Sequence, residues 1–247
     1  MRMILKRLPS TFFLLAMSAG VARAQSASPA SDEWQFFVTP FLWGAGIDGT
    51  VGLAGRDRDF EVSAKDLMKS LDFGIMGNFE ARRNRLSFGA DLVYTDLGKD
   101  VGLENSSRTP RLDMSMTIIE GNVGYGAFES LDILAGLRGV ISSVSLEEDS
   151  STLAEVDGSF ADPFVGARFR RDLTEKVWVN FRGDVGGFGV GSDFSWFVGA
   201  TGGFRVSRSI SLDLGYRVWN MDYENANELK RLDAVLAGFA FGLTFRF

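Results

Sequence analysis

The last eleven residues, AGFAFGLTFRF (237–247), alternate without a slip. Phe239, Phe241, Leu243, Phe245 and Phe247 are large and apolar, while Gly238, Ala240, Gly242, Thr244 and Arg246 fall between them. A side-chain period of two is that of a β-strand, so the phenylalanines share one face and the glycines and arginine the other. The face of rings calls for an apolar medium. The face of small residues with a long cation calls for a confined polar one.

The same period governs the chain from Trp34 onward. Ten segments alternate, at about 34–46, 72–82, 85–97, 113–128, 131–144, 158–170, 176–189, 194–206, 210–221 and 233–247. The connections differ in kind. RRNR (82–85), FESL (128–131), RRDLTEK (170–176) and VSRS (206–209) read as tight turns. The stretches at 47–71, 98–112, 145–157 and 222–232 read as long, mostly acidic loops, with the short VGSD (190–193) as the exception on that side. Short turns on one side, long loops on the other and an even strand number describe a bacterial outer-membrane barrel with both termini in the periplasm. The expected fold class is therefore all-β, a closed antiparallel up-and-down transmembrane β-barrel of about ten strands. Eight or twelve remain as alternatives; a further strand pair around Asp59–Val62 would make twelve.

A soluble β-sandwich also alternates. Its solvent face would be rich in long side chains and lysine, whereas these ten segments hold one lysine, Lys176, at a turn. Their polar face is built from glycine, arginine and carboxylates, which suits the interior of a narrow barrel. Counted up from the tight turns, Asp91, Glu120, Arg138, Arg182, Asp184 and Arg217 lie seven to nine residues high. Three carboxylates and three arginines at one level are expected to pair as a lumen charge network, because unpaired charges in a weakly hydrated interior are costly. That points to a plugged barrel rather than an open pore. Within the first long loop, Ser63 and Asp66 of SAKDLMKSL form a capping-box pattern, with Leu67, Met68 and Leu71 on one face. It reads as a helical turn over the barrel mouth, or as a gate or ligand clamp.

The N-terminus supplies a compartment. Arg2, Lys6 and Arg7 precede the apolar run TFFLLAMSAGV, and Ala22-Arg23-Ala24 fits a cleavage site, so residues 1–24 read as a secretory signal peptide. Residues 25–32 read as a periplasmic linker and 33–247 as the barrel. Cleavage removes four basic residues and no acid, which takes 26 basic against 32 acidic to 22 against 32, near −10. Such a chain is a poor partner for nucleic acid.

The chain has no cysteine and no histidine. That removes disulfides, cysteine-ligated metals, the usual general base and the commonest metal ligand. A carboxylate dyad among Asp91, Glu120 and Asp184 would be weakened as an acid by the neighbouring arginines. No enzyme activity, catalytic residue, cofactor or metal site is expected. GDVGGFGVGS (183–192) lacks a following helix and reads as close backbone approach and bending rather than a phosphate loop. The acidic stretch with Glu147, Glu148, Asp149, Glu155 and Asp157 reads as solvated, with divalent-cation binding as the other reading. Tyr94, Tyr125, Trp196 and Tyr216 are candidate interface aromatics.

The signal peptide, the alternating strands, the glycine-rich inward face and the terminal LTFRF together resemble the small outer-membrane β-barrels of Gram-negative bacteria, the group around the OmpA, OmpW and opacity-type proteins. The opening WQFFVTPFLWGAGIDGTVG (34–52) also resembles that of a set of uncharacterised outer-membrane proteins. The resemblance implies residence in outer-membrane lipid and recognition of a C-terminal aromatic, here Phe247, by the barrel-assembly machinery. It departs from OmpA and OmpW in having ten strands rather than eight. The hydrolases, proteases and acyltransferases among such barrels rely on a histidine that this chain lacks. The expected role is a structural or surface-interaction barrel with a largely plugged lumen. The alternative is a narrow channel or carrier, either for small solutes or for hydrophobic ligands held by Phe37, Phe41, Trp43, Trp178 and Trp219.

Overall fold

The computed structural model describes residues 32–53, 56–100, 111–148, 151–225 and 230–247. The expected signal peptide and nearly all of the linker lie outside the described residues. Eleven strands follow: β1 (Gln35–Leu53), β2 (Arg56–Val62), β3 (Leu71–Arg83), β4 (Leu86–Asp100), β5 (Arg111–Phe128), β6 (Leu131–Glu148), β7 (Ser151–Asp172), β8 (Val177–Gly187), β9 (Phe194–Arg205), β10 (Ile210–Asn225) and β11 (Lys230–Arg246). One short helix, α1 (Ala64–Lys69), separates β2 from β3.

Ten of the strands form a closed antiparallel barrel in up-and-down order. β11 returns to pair with β1, from Phe37 opposite Arg246 to Leu53 opposite Lys230. The last rung of this seam uses the final residue. The Phe247 amide donates to the Phe36 carbonyl at 3.0 Å, and the Phe36 amide donates to the Phe247 carbonyl at 3.2 Å. This seam joins the last strand to the first, as strands in hydrocarbon require. β2 is not a barrel stave. It pairs with the upper half of β1, from Ile47 opposite Val62 to Leu53 opposite Arg56, so the extra segment near Asp59–Val62 makes a projecting hairpin and the barrel stays at ten.

Below that hairpin, β1 pairs with β3 only from Gln35 to Pro40. Proline has no amide to donate, and this ladder ends at it. Above the break the Trp43 amide donates to the Met76 thioether at 3.1 Å instead of to a carbonyl. α1 sits beside this stretch; its cap is Ser63, whose hydroxyl accepts from the Asp66 amide at 3.2 Å and donates to the Asp66 carboxylate at 2.8 Å.

The sequence reading places long loops where the chain is still strand. β6 runs to Glu148 and β7 starts at Ser151, so most of 145–157 is ladder; β10 and β11 likewise extend to Asn225 and from Lys230. These strand tips lie at the loop end of the barrel. Hydrophobic alternation fades there while backbone pairing continues. The short connection between β8 and β9 is tight, with positive φ at Gly187 (87°), Phe188 (54°) and Gly189 (73°) just before VGSD.

The outer face is an uninterrupted apolar belt. Leu42, Leu137, Phe241 and Phe239 are 67%, 63%, 60% and 58% exposed. An apolar surface this continuous is stable only against lipid. Tyr125 and Tyr216 lie on this exposed face, and the Tyr216 and Phe239 rings meet edge-on at 5.1 Å. Trp34, Phe36, Phe79 and Phe88 form a row of ring contacts at the end where the tight turns lie, with Phe36 stacked on Trp34 and Phe79, and Phe88 tilted against Trp34.

Candidate functional site

The lumen divides into three layers, all set by residues of inward parity. The middle layer is ionic. Asp91 lies opposite Glu120 across β4 and β5, and Glu120 lies opposite Arg138 across β5 and β6. Arg138 donates from Nε and Nη2 to Glu120 Oε2 at 3.1 and 2.8 Å, and from Nη2 to Asp184 Oδ1 at 2.9 Å. Arg182 completes the ring, reaching Glu120 Oε1 at 2.7 Å from Nη1 and Asp184 Oδ2 at 2.7 Å from Nη2. Two cations and two carboxylates thus alternate and cancel. Arg138, Asp184 and Glu120 are 3%, 5% and 6% exposed.

Arg217 and Asp91 form a separate pair at 3.1 Å, with the Asn78 amide also on Asp91. The two groups meet through a ring. The guanidiniums of Arg138, Arg182 and Arg217 all lie over Phe197, at 5.5, 5.0 and 5.4 Å from its centroid. Arg217 also covers Phe41 and Trp43. Cations over ring faces in a desolvated site add attraction beyond their ion pairs.

The layer toward the loops is apolar. Trp43, Val93, Ile118, Val140, Trp219 and Leu236 form a buried cluster across the lumen, joined by Phe41 and Phe197 at its lower side. Arg138 Nη1 and the indole nitrogens of Trp43 and Trp219 have no hydrogen-bond partner among the described residues. Of the inward aromatics named from the sequence, Phe41, Trp43 and Trp219 are packed into this cluster, whereas Phe37 and Trp178 are not.

The layer toward the turns is open and polar. A cavity of about 1080 Å³ reaches from Arg182, Arg217 and Phe197 down to the turns at Arg83–Arg85 and Ser207–Ser209. A second charge cluster lies on its wall. Glu80 accepts from Arg82 Nε at 2.9 Å and Arg170 Nη2 at 3.0 Å and pairs with Arg168 at 3.1 Å, while Arg168 also pairs with Asp132 at 2.7 Å. None of Glu80, Asp132, Arg168 and Arg170 stands out in the sequence, because each lies within a few residues of a turn and resembles turn polarity; their shared inward parity is the signal that marks them. Asp162 is a further addition. It is fully buried, accepting from the Ser192 amide at 2.7 Å and the Ser192 hydroxyl at 2.6 Å, and so ties the short β8–β9 connection to β7.

Among the described residues no cluster of three or more acidic side chains could hold a metal ion. The side chains of Glu147, Glu148, Asp149, Glu155 and Asp157 lie outside the described residues.

No protein-family model matches the sequence, and no curated protein sequence matches it. The fold is similar to the outer membrane protease OmpT from Escherichia coli, with a TM-score of 0.54 at 12% identity over 90% of this chain and 99% of that one. Lower scores are found with Ail, the attachment invasion locus protein of Yersinia pestis (TM-score 0.40, 10% identity, 87% of this chain and 99% of that one). The toluene transporter TodX of P. putida gives 0.36 at 10% identity, over 88% of this chain and 90% of that one. The likeness to OmpT at this identity shows the fold: that of a Gram-negative outer-membrane β-barrel.

Proposed function

We propose that this chain is an integral outer-membrane protein of a Gram-negative bacterium, a structural or surface-interaction barrel whose lumen does not pass solute. The turn end and both termini face the periplasm, and the strand tips with α1 face outward. The observation that carries the reading is the stacking of two seals: the ring of Glu120, Arg138, Asp184 and Arg182, and the apolar cluster above it. An ion crossing the barrel would have to displace a guanidinium from two carboxylates and then pass the apolar cluster that holds Trp43 and Trp219. Either step costs more than entry into a wet constriction.

The barrel is not an enzyme in this reading. No histidine is present, and each carboxylate of the middle layer is engaged by arginine. Its contacts are outer-membrane lipid along the apolar belt, the barrel-assembly machinery through Phe247 during biogenesis, and surface partners through the outward tips. The terminal residue suits such recognition, because its ring is 73% exposed and its backbone closes the β1–β11 seam.

Planar-bilayer recording tests the closed lumen. The purified barrel is expected to insert without steady single-channel steps. Steps that change in Arg182→Ala would establish the narrow channel instead. The wide turn-end cavity is what favours that second reading. A carrier for hydrophobic ligands has less support, since three of its five candidate aromatics are packed against one another.

A further inference from the structure

The cavity at the turn end has a composition that a plug does not require. Its lining holds eleven arginines and six carboxylates and, among the described residues, no lysine. The excess is five positive charges, and counting the buried Glu120, Asp184 and Arg138 behind Arg182 still leaves four. The full chain has the opposite sign, with 26 basic against 32 acidic residues. Positive charge is therefore concentrated in this chamber of an otherwise acidic protein. Five aromatic rings share the lining: Phe37, Phe41, Phe128, Trp178 and Phe197.

The excess is not spread evenly. Arg205 pairs with Asp172 at 2.6 Å and Arg217 with Asp91 at 3.1 Å, so these are internally balanced. Around Glu80 and Asp132, three arginines share two carboxylates. Arg246 meets no carboxylate among the described residues; its guanidinium stands 5.9 Å from the Phe37 centroid, and Arg82 stands 4.8 Å from the same ring. One ring thus lies beneath a free guanidinium and another from the under-neutralised cluster.

We propose that the chamber is a binding site for a soluble periplasmic organic anion, one that carries a phosphate or carboxylate group on an apolar body. Arg246 and the cluster of Arg82 and Arg170 receive the anionic group, and Phe37 lies against the body. Guanidiniums fit both oxyanions through paired N–H donors, which suits a lining that uses arginine throughout. A concave chamber with low-dielectric walls raises the local concentration of such an anion. The inference rests on closure of the lumen above Arg182, which makes the chamber a terminus rather than a passage.

The test is calorimetric titration of the complete mature barrel in zwitterionic-lipid nanodiscs with 1-naphthyl phosphate, alongside inorganic phosphate and uncharged 1-naphthol. The naphthyl phosphate is expected to bind, to weaken as salt rises, and to bind more tightly than either fragment. Arg246→Gln, which leaves no carboxylate unpaired, is expected to weaken it about tenfold while the folded barrel still shows heat-modifiable migration; Arg246→Lys is expected to recover part of the loss. Failure of wild type to bind, or equal binding by wild type and Arg246→Gln, overturns the proposal. So does displacement of the probe by phosphatidylglycerol in the nanodisc, since the arginines would then serve lipid headgroups. Failure of the closed-lumen reading registers separately, as conductance, and does not alter this titration.

Discussion

The two ends of the lumen are enclosed by the same ten strands with the same alternation, yet one is packed and the other hollow. Toward the loops the inward positions carry Trp43, Val93, Ile118, Val140, Trp219 and Leu236. Toward the turns they include Gly89, Gly199, Gly215 and Gly242, with arginines projecting into the space. Strand number sets the cross-section of a barrel, and inward side-chain volume decides whether it is filled. The difference also explains the ionic layer between the ends. Apolar packing above it excludes water, so the ring of Glu120, Arg138, Asp184 and Arg182 must be complete to be tolerated. In the hollow end Glu80 and Arg168 are buried in the wall and share that requirement, whereas the partly exposed pair of Arg205 and Asp172 does not.

Substitutions graded along the lumen should reveal this gradient, read as unfolding free energy in detergent by heat-modifiability or denaturant titration. Arg138→Ala strands Glu120 and Asp184 with a single remaining cation and is expected to cost about 3–5 kcal/mol. Leu236→Ala opens a void in the apolar cluster and is expected to cost about 2–4 kcal/mol. Gly136→Ala places a methyl 2.6 Å from the Phe164 ring, where the wall offers no room, for about 1–3 kcal/mol. Arg205→Ala removes a pair whose side chains are 31% and 32% exposed in the hollow end; its expected cost is below about 1 kcal/mol. Equal losses at Arg138 and Arg205 would break the comparison, because the ionic ring would then be as hydrated as the chamber.

The barrel is legible in the sequence wherever two different media touch its two faces. Phe239 and Phe241 against Gly238 and Ala240 state that contrast residue by residue. It fails at the strand tips, where Ser145–Glu148 continues the β6 ladder without an apolar face and so resembles a loop. Height above the turns places Asp91, Glu120 and Arg138 near one level, and the register sets them on neighbouring rungs. What height cannot supply is the partner across the lumen. The contact of Arg138 with Asp184, the three guanidiniums around Phe197 and the bond of Ser192 to Asp162 all depend on how the barrel closes. The hollow end was equally hidden, since a glycine reads the same whether space beside it is filled by a neighbour or left open.

Cysteine accessibility tests the account most directly, because the chain has no cysteine of its own. Thr201→Cys lies on the chamber wall and Val140→Cys in the apolar cluster. A membrane-impermeant maleimide supplied from the periplasmic side should label Thr201→Cys and spare Val140→Cys, and the same reagent supplied to intact cells should label neither. Labelling of Val140→Cys from outside would contradict a lumen sealed above Arg138.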